Sequence, residues 1–339
     1  MLGVEQDVLE TDLGMDRLKV AVIGLGKMGL LHSCILGIIP NVDVVALCDK
    51  SFVLRRVAKK LFTGSVVVDD IEKLYDLSLD CAYVTSPIST HFSIVKDLYS
   101  KSTICNVFVE KTLASSWDKA NELCALSEKN LGVNMVGYMK RFSVTFSKAK
   151  SLLDEHILGE LVSFKGSAYS SDFANLRQTS RGLLRGGVLS DLGSHIIDLA
   201  LWFFGNFEVE GAMIKSIVDK NSEDDVNFKV KQSSLNGEFD VSWCKENYRL
   251  PSFTLTVHGS KGTLTVDDSH IVLDSSEKTS SILYKPDLSD NVAFLLGEPE
   301  YYREDEHFIK SILNGVKAES SFETSSKVDY IIDRVKKEV

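Results

Sequence analysis

Along the first third of the chain, short apolar runs alternate with longer amphipathic stretches. Leu18–Ile23 (LKVAVI), Asp43–Cys48 (DVVALC), Leu79–Val84, Ile104–Val109 and Val133–Gly137 are compact runs rich in branched residues. Their length and composition predict buried strands. Between them, Gly26–Ile39 (stopped by Pro40), Ser51–Phe62 and Trp117–Asn130 carry helical patterns. The last has a candidate capping box in Ser115 and Asp118, with Gly132 just past its end. Strands alternating with helices predict a parallel sheet covered on both faces. After about Met135 the texture changes. A helix over Ser143–His156 leads through Gly159 into a strand at Leu161–Tyr169, then an arginine- and glycine-rich loop at Arg177–Gly187. A helix apolar nearly all round, Leu189–Phe204, ends at Gly205. From Val209 to Leu283 the chain reads as strands and turns, with Gly259–Gly262 turning FTLTVHGSKGTLTV. Helical stretches around Glu304–Leu313 and Ser325–Glu338 close it. The expected architecture is α/β. An acidic extension (1–16) precedes a doubly wound parallel sheet (17–135) and an α+β domain with a large, mostly antiparallel open sheet (136–339).

Bulk properties narrow the classes of partner. A length of 339 residues suits two domains, and 44% hydrophobic with 25% charged residues allows each a core. The net charge of −10 argues against nucleic acid. It leaves room for an anionic cofactor, because helix N-termini hold phosphate locally. The six cysteines form no C-x-x-C pair and no Cys/His set with zinc spacing, so no metal site is expected and a reducing compartment is. The acidic start has no apolar core and does not read as a signal peptide. Val20–Ile39 is apolar enough to suggest a membrane span, but Lys27, His32 and its ordered glycines fit strand–turn–helix better. A soluble, cytoplasmic protein is expected.

The chemistry begins at Gly24-Leu25-Gly26-Lys27-Met28-Gly29, a G-x-G-x-x-G loop that follows a strand and opens a helix. The first glycine permits the turn, the second lets backbone approach a pyrophosphate, and the third lets helix pack on strand. Asp49 ends the second strand twenty residues after Gly29, where an acid meets ribose hydroxyls. It favours NAD; Lys50, Arg55 and Arg56 nearby leave NADP as the alternative. In Val84–His91 (VTSPISTH), Thr85, Ser86, Pro87 and His91 suit a loop beside a flat cofactor. The same residues also suit a capped turn with Ser89 or Thr90 as N-cap. Glu110-Lys111 follows an apolar strand, at the sheet end where doubly wound folds bind ligands. Asp191 and His195, four apart, share one face of the apolar helix, with Asp198 a turn beyond. Polar groups there must be paired or line a site.

The ordered set GLGKMG, Asp49, S-P-x-x-x-H, VEKTLA, GYMKRF, GGVLSDLGSHIIDLALWFFG and TVHGSKGTLTV resembles the glucose–fructose oxidoreductase / inositol dehydrogenase / rhizopine catabolism (Gfo/Idh/MocA) family from about Arg17 to Gly315. The resemblance implies a Rossmann domain whose glycine loop and following acid bind the dinucleotide. It places Lys111 by the nicotinamide and substrate, with Asp191 and His195 facing it, and counts Glu110 among the cofactor-binding residues. Lys140 and Asp198 fall where some members contact substrate. Two positions depart from the family: Thr112 stands where proline usually follows the lysine, and Val144 where proline often follows the arginine–aromatic pair. The reaction implied is hydride transfer between nicotinamide and a secondary alcohol or ketone of a sugar, cyclitol or related polyol. His195 is expected as general acid/base, Asp191 as the residue that holds the site, and Lys111 as oxyanion stabiliser, with His195 and Lys111 able to exchange roles. The alternatives are an NADPH-dependent carbonyl reductase and a catalytically silent dinucleotide sensor. Specificity is expected in the Tyr169–Gly187 loop, where Arg177, Arg181 and Arg185 either meet an anionic substrate or form a solvated or oligomer surface. A homo-dimer or homo-tetramer follows from the same analogy.

Overall fold

The computed structural model describes residues 17–275, 279–283 and 298–338. The acidic extension, residues 1–16, lies outside them. Strands β1 (Leu18–Ile23), β2 (Val42–Cys48), β3 (Val66–Val68), β4 (Cys81–Val84), β5 (Asn106–Glu110) and β6 (Asn134–Gly137) form one sheet in the order β3-β2-β1-β4-β5-β6. Every neighbouring pair is parallel. Alternate side chains leave a strand on opposite faces, so continuous apolar runs supply both. Val20, Val22, Leu47, Tyr83 and Phe108 fill one core, and Ala21, Ile23, Val84, Val107 and Val109 the other. Helices α1 (Lys27–Leu36), α2 (Phe52–Leu61), α3 (Ile88–Lys101) and α4 (Trp117–Glu128) connect the strands.

Several boundaries differ from expectation for local reasons. The helix α1 ends at Leu36, before Pro40, with Gly37 at its C-cap. Pro87 begins α3, so neither Ser89 nor Thr90 is its N-cap; Thr90 instead donates to the Pro87 carbonyl at 2.7 Å. Ser116 precedes α4 without a side-chain cap bond, so the Ser115/Asp118 box does not form. Strand β3 was too short for its period to register.

The second domain carries α5 (Val144–Asp154), β7 (Leu161–Tyr169), α6 (Arg181–Arg185) and α7 (Ser194–Phe204). Strands β8 (Glu208–Lys215), β9 (Asp225–Gln232), β10 (Leu235–Ser242), β11 (Ser252–Gly259), β12 (Gly262–Asp267), β13 (His270–Ser275) and β14 (Thr279–Leu283) follow. They and β7 form a sheet in the order β14-β13-β12-β11-β7-β10-β9-β8, antiparallel except where β7 meets β10. Phe164, Phe228, Phe239, Leu255 and Val257 form its buried face with Ile196, Leu199 and Ala200 of α7. The other face carries polar positions such as Lys165, Glu238, Thr256 and Thr265.

The chain then returns. Helix α8 (Pro299–Asn314) packs on α1, and Tyr302, Phe308 and Ile309 join the core of Val20, Leu36 and Tyr83. Helix α9 (Phe322–Lys337) lies between α4 on one side and α7 and β8 on the other. Truncating Phe308, fully buried, would cost about 3–5 kcal/mol on the scale of core Phe→Ala changes. No helix among the described residues is long and apolar enough to cross a membrane.

Candidate active site

The turn after β1 is built by steric exclusion. Gly24 has φ +98°, and a Cβ on it would meet the Ser86 Cα at 2.6 Å. A Cβ on Gly29 would lie 1.8 Å from the Gly24 carbonyl oxygen. At Gly26 nothing among the described residues lies within 4 Å of that position, so among them the loop is closed on one side and open on the other, where Lys27 and Met28 begin α1. Asp49 braces the loop: its carboxylate accepts from Leu25 N–H and Ser51 N–H, each at 2.6 Å. Arg55 donates to the carbonyls of Asp49 and Lys50 at 2.8 and 2.7 Å. A cavity of about 480 Å³ opens here, lined by Gly24, Asp49, Lys50, Ser86, Pro87 and Thr90 among others. Thr85 donates to the Gly24 carbonyl at 2.6 Å, tying β4 to the loop.

Two residues expected at the cofactor are hydrogen-bonded within the scaffold. His91 is buried, with ring nitrogens 2.8 Å from the Ser86 carbonyl and 2.9 Å from that of Thr112. Burial holds its pKa below the usual imidazole value. Glu110 turns one oxygen to His32 at 3.0 Å and the other to the Lys111 amide at 3.1 Å. The Thr112 hydroxyl donates to the Ala114 carbonyl at 3.1 Å, fastening the segment just past Lys111.

Lys111 emerges at the C-terminal end of β5 and reaches the second domain, donating to the Asp191 carbonyl at 2.7 Å and its carboxylate at 3.1 Å. Asp191 lies in a π-helical turn, Leu189–Gly193, that runs into α7. Arg185 holds its other oxygen, donates to Asp172 at 2.6 Å and lies 4.6 Å over the Trp243 ring. Burial opposes the Asp191 charge, but Lys111 and Arg185 outweigh it and lower the pKa to about 2. Arg185 is therefore an internal clamp rather than a free arginine of the loop. His195, one turn on, stands edge-on to Tyr138 and Phe253, and its Nδ1 is buried with no hydrogen-bond partner among the described residues. Burial, then Lys111 and Lys140, push its pKa well below the usual value against the pull of Asp191. A neutral imidazole thus lies beside a lysine–aspartate pair.

Lys140 and Asp198, expected near substrate, are both ion-paired within the protein. Arg141 grips Asp198 with two bonds, 2.8 and 2.6 Å, both side chains being buried. The buried Lys140 amine meets Asp268, Glu298 and Glu300 at 2.8, 2.9 and 3.1 Å. Sequence reasoning offered Arg185 only as a loop arginine for an anionic substrate or a surface, missing its hold on Asp191, and it missed these carboxylates. Asp198 on an all-apolar helix demanded a cation, and Arg141 in GYMKRF was an available one; no comparable cue marked the others.

With this geometry, comparisons carry weight. Residues 18–138 match the model of an oxidoreductase family with an NAD-binding Rossmann fold, and 146–265 match the Gfo/Idh/MocA C-terminal domain. The chain belongs to the Gfo/Idh/MocA family of oxidoreductases, and its first domain is an NAD-binding Rossmann domain. The D-glucoside 3-dehydrogenase of Escherichia coli is 23% identical over 305 residues, 81% of this chain and 84% of that one. The NAD(+)-dependent scyllo-inositol 2-dehydrogenase of Bacillus subtilis is 24% identical over 191 residues, 56% of this chain. That match spans only 54% of the relative's length, as do several others of its kind at about half. In fold, levoglucosan dehydrogenase in complex with NADH superposes with a TM-score of 0.84 at 19% identity, over 95% of this chain and 98% of that one. A 3-ketoreductase of Actinomadura kijaniata in complex with NADP gives 0.77 at 18% identity, over 95% and 97%.

Proposed function

We propose that this protein catalyses reversible, NAD-linked oxidation of a secondary alcohol on a sugar, cyclitol or related polyol. The observation that carries the reading is the ion pair between Lys111 of the first domain and Asp191 of the second, beside the unpartnered Nδ1 of His195. Among the described residues the loop has no atom near its Gly26 side, and it borders a cavity, which suits a pyrophosphate on backbone amides. Bound there, the nicotinamide supplies a hydride acceptor. His195, neutral at neutral pH, takes the hydroxyl proton. Lys111, aimed by Asp191, stabilises charge on the alcohol oxygen. Asp191 itself is kept ionised by Lys111 and Arg185 and serves as an anchor. Asp49 places negative charge at the ribose end and Arg55 is spent on backbone carbonyls, which favours NAD over NADP.

The substrate class rests on the named activities of the relatives, whose sugars and cyclitols share vicinal secondary alcohols. Residues 17–135 are read as the cofactor unit and 136–339 as the substrate and oligomer unit, with α8 serving the first. The polar open face of the second sheet suits association of copies, and six free cysteines suit the cytoplasm. Calorimetric titration of NADH and NADPH, followed by turnover on a polyol and glycoside panel, tests the proposal. Tighter NADH binding with turnover is expected. Preference for NADPH would transfer the reading to a carbonyl reductase, and binding without any turnover to a sensor.

A further inference from the structure

Behind the site lies a group of titratable side chains that the reaction does not use. His32 of α1 is completely buried. Its Nδ1 meets both oxygens of Asp305 in α8 at 2.9 Å, and its Nε2 meets Glu110 of β5 at 3.0 Å. The second oxygen of Glu110 accepts the amide of Lys111 at 3.1 Å. Tyr83 of β4, Phe108 of β5 and Tyr301 of α8 ring the imidazole at 5.7, 5.1 and 6.2 Å. Glu304, a neighbour of Asp305 on α8, is fully buried, with neither oxygen partnered among the described residues.

We propose that Asp305, His32 and Glu110 form a positioning chain through which the C-terminal helix α8 holds the end of β5 and so aims Lys111 at Asp191. The inference rests on the reading of Lys111 as the oxyanion stabiliser. An amide bonded to a mobile carboxylate would leave the strand end free to rotate. A carboxylate fixed by an imidazole, which is fixed in turn by a second carboxylate, leaves it one orientation. Burial opposes charge on His32, but Asp305 and Glu110 overcome it and hold its pKa well above the usual value. Burial likewise opposes charge on Glu110, and His32 and Lys111 bring its pKa below the usual value. Burial and the nearby Glu110 push the Glu304 carboxyl well up. The chain is thus a carboxylate–imidazole–carboxylate series, fully buried at Asp305 and His32 and nearly so at Glu110, ending on one backbone N–H. None of the three side chains touches the reacting atoms; each acts through the next.

The test is competitive acetylation of lysines by acetic anhydride on the full-length protein saturated with NADH, read by peptide mass spectrometry, in wild type, Asp305→Asn and Glu110→Gln. The two variants interrupt the chain at opposite ends, so one remains informative should the other fold poorly. Both should raise the labelling rate of Lys111 about tenfold or more, while the exposed Lys73 and Lys165 keep theirs and NADH affinity holds. Turnover should fall by a similar factor with KM little changed. An unchanged Lys111 rate, or a rise shared by all lysines, would overturn the chain. The outcome is separable from the functional reading, which Lys111→Ala addresses. Full turnover in that variant with faster Lys111 labelling in Asp305→Asn would leave the chain standing and remove the catalytic role.

Discussion

Two of the buried histidines, one in each domain, meet opposite surroundings. His32 has a carboxylate on each ring nitrogen and a pKa held up by them. His195 has a buried Nδ1 without a partner and a pKa driven down by burial and two lysines. A polar atom left unsatisfied inside a protein costs free energy, so a sequence shaped only by stability would remove it. The first arrangement is what holding a fold together looks like; the second is what a site waiting for a substrate looks like. Counting polar residues on apolar helices does not separate the two; counting their partners does.

The sharpest test of that contrast is kinetic. His195→Leu and Lys111→Ala should each lower kcat about 10²- to 10⁴-fold, with the NADH dissociation constant moved by no more than about twofold. Retention of near-native turnover by both would end the assignment. The contrast should invert in stability. His32→Ala leaves two buried carboxylates facing each other and should cost about 3–5 kcal/mol in denaturant unfolding. His195→Leu removes an unpaired polar atom and should leave stability within about 1 kcal/mol of wild type or above it. If His195→Leu proved as destabilising as His32→Ala, His195 would be a structural residue.

Acid unfolding gives smaller effects of known sign. The pKa of Asp191 in the folded chain is about 2, below the unfolded value of 3.8. The stability it contributes is therefore complete above pH 3.8 and lost as pH falls towards 2. Wild type should lose about 2 kcal/mol from this group over that interval, and Asp191→Asn should lack the loss. His195 acts in a different window. Because its folded pKa is depressed, the unfolded chain takes up the proton first and stability falls as pH drops below 6.5. His195→Leu should flatten that segment. The raised pKa of His32 contributes nothing to this acid limb: its stabilisation is fully present below 6.5 and fades only as pH rises through the folded value.

How much of this was legible in the sequence follows from the range of each interaction. The Gly24–Gly29 turn and five of the six strands of the first sheet are local patterns, and the structure has them close to where the residues place them. Lys111 was legible as a strand-end residue. The pairings that settle roles are distant in sequence: His32 with Asp305 across 273 positions, Lys140 with Glu300 across 160, and Arg141 with Asp198 across 57. No periodicity records them. For that reason Asp198, Lys140, His91 and Glu110 were expected at ligands and are found bonded to protein. The π-helical turn at Leu189–Gly193 was likewise invisible, since its residues look like the first turn of an ordinary helix.

The return of α8 onto α1 has a consequence for how the molecule is made. A domain near the start of a chain ordinarily folds while the rest is still being synthesised, at about 5–20 residues per second. Here the core containing Leu36 and Tyr83 is closed by Tyr302, Phe308 and Ile309. Until those residues leave the ribosome, the face of α1 that packs on α8 lacks that cover among the described residues, while everything between Gly137 and Pro299 is added. The nascent first domain therefore spends on the order of ten seconds or more with an apolar side turned to solvent. A cell making this protein must tolerate or shield that surface, and a gene shortened before Glu298 would leave it exposed for good.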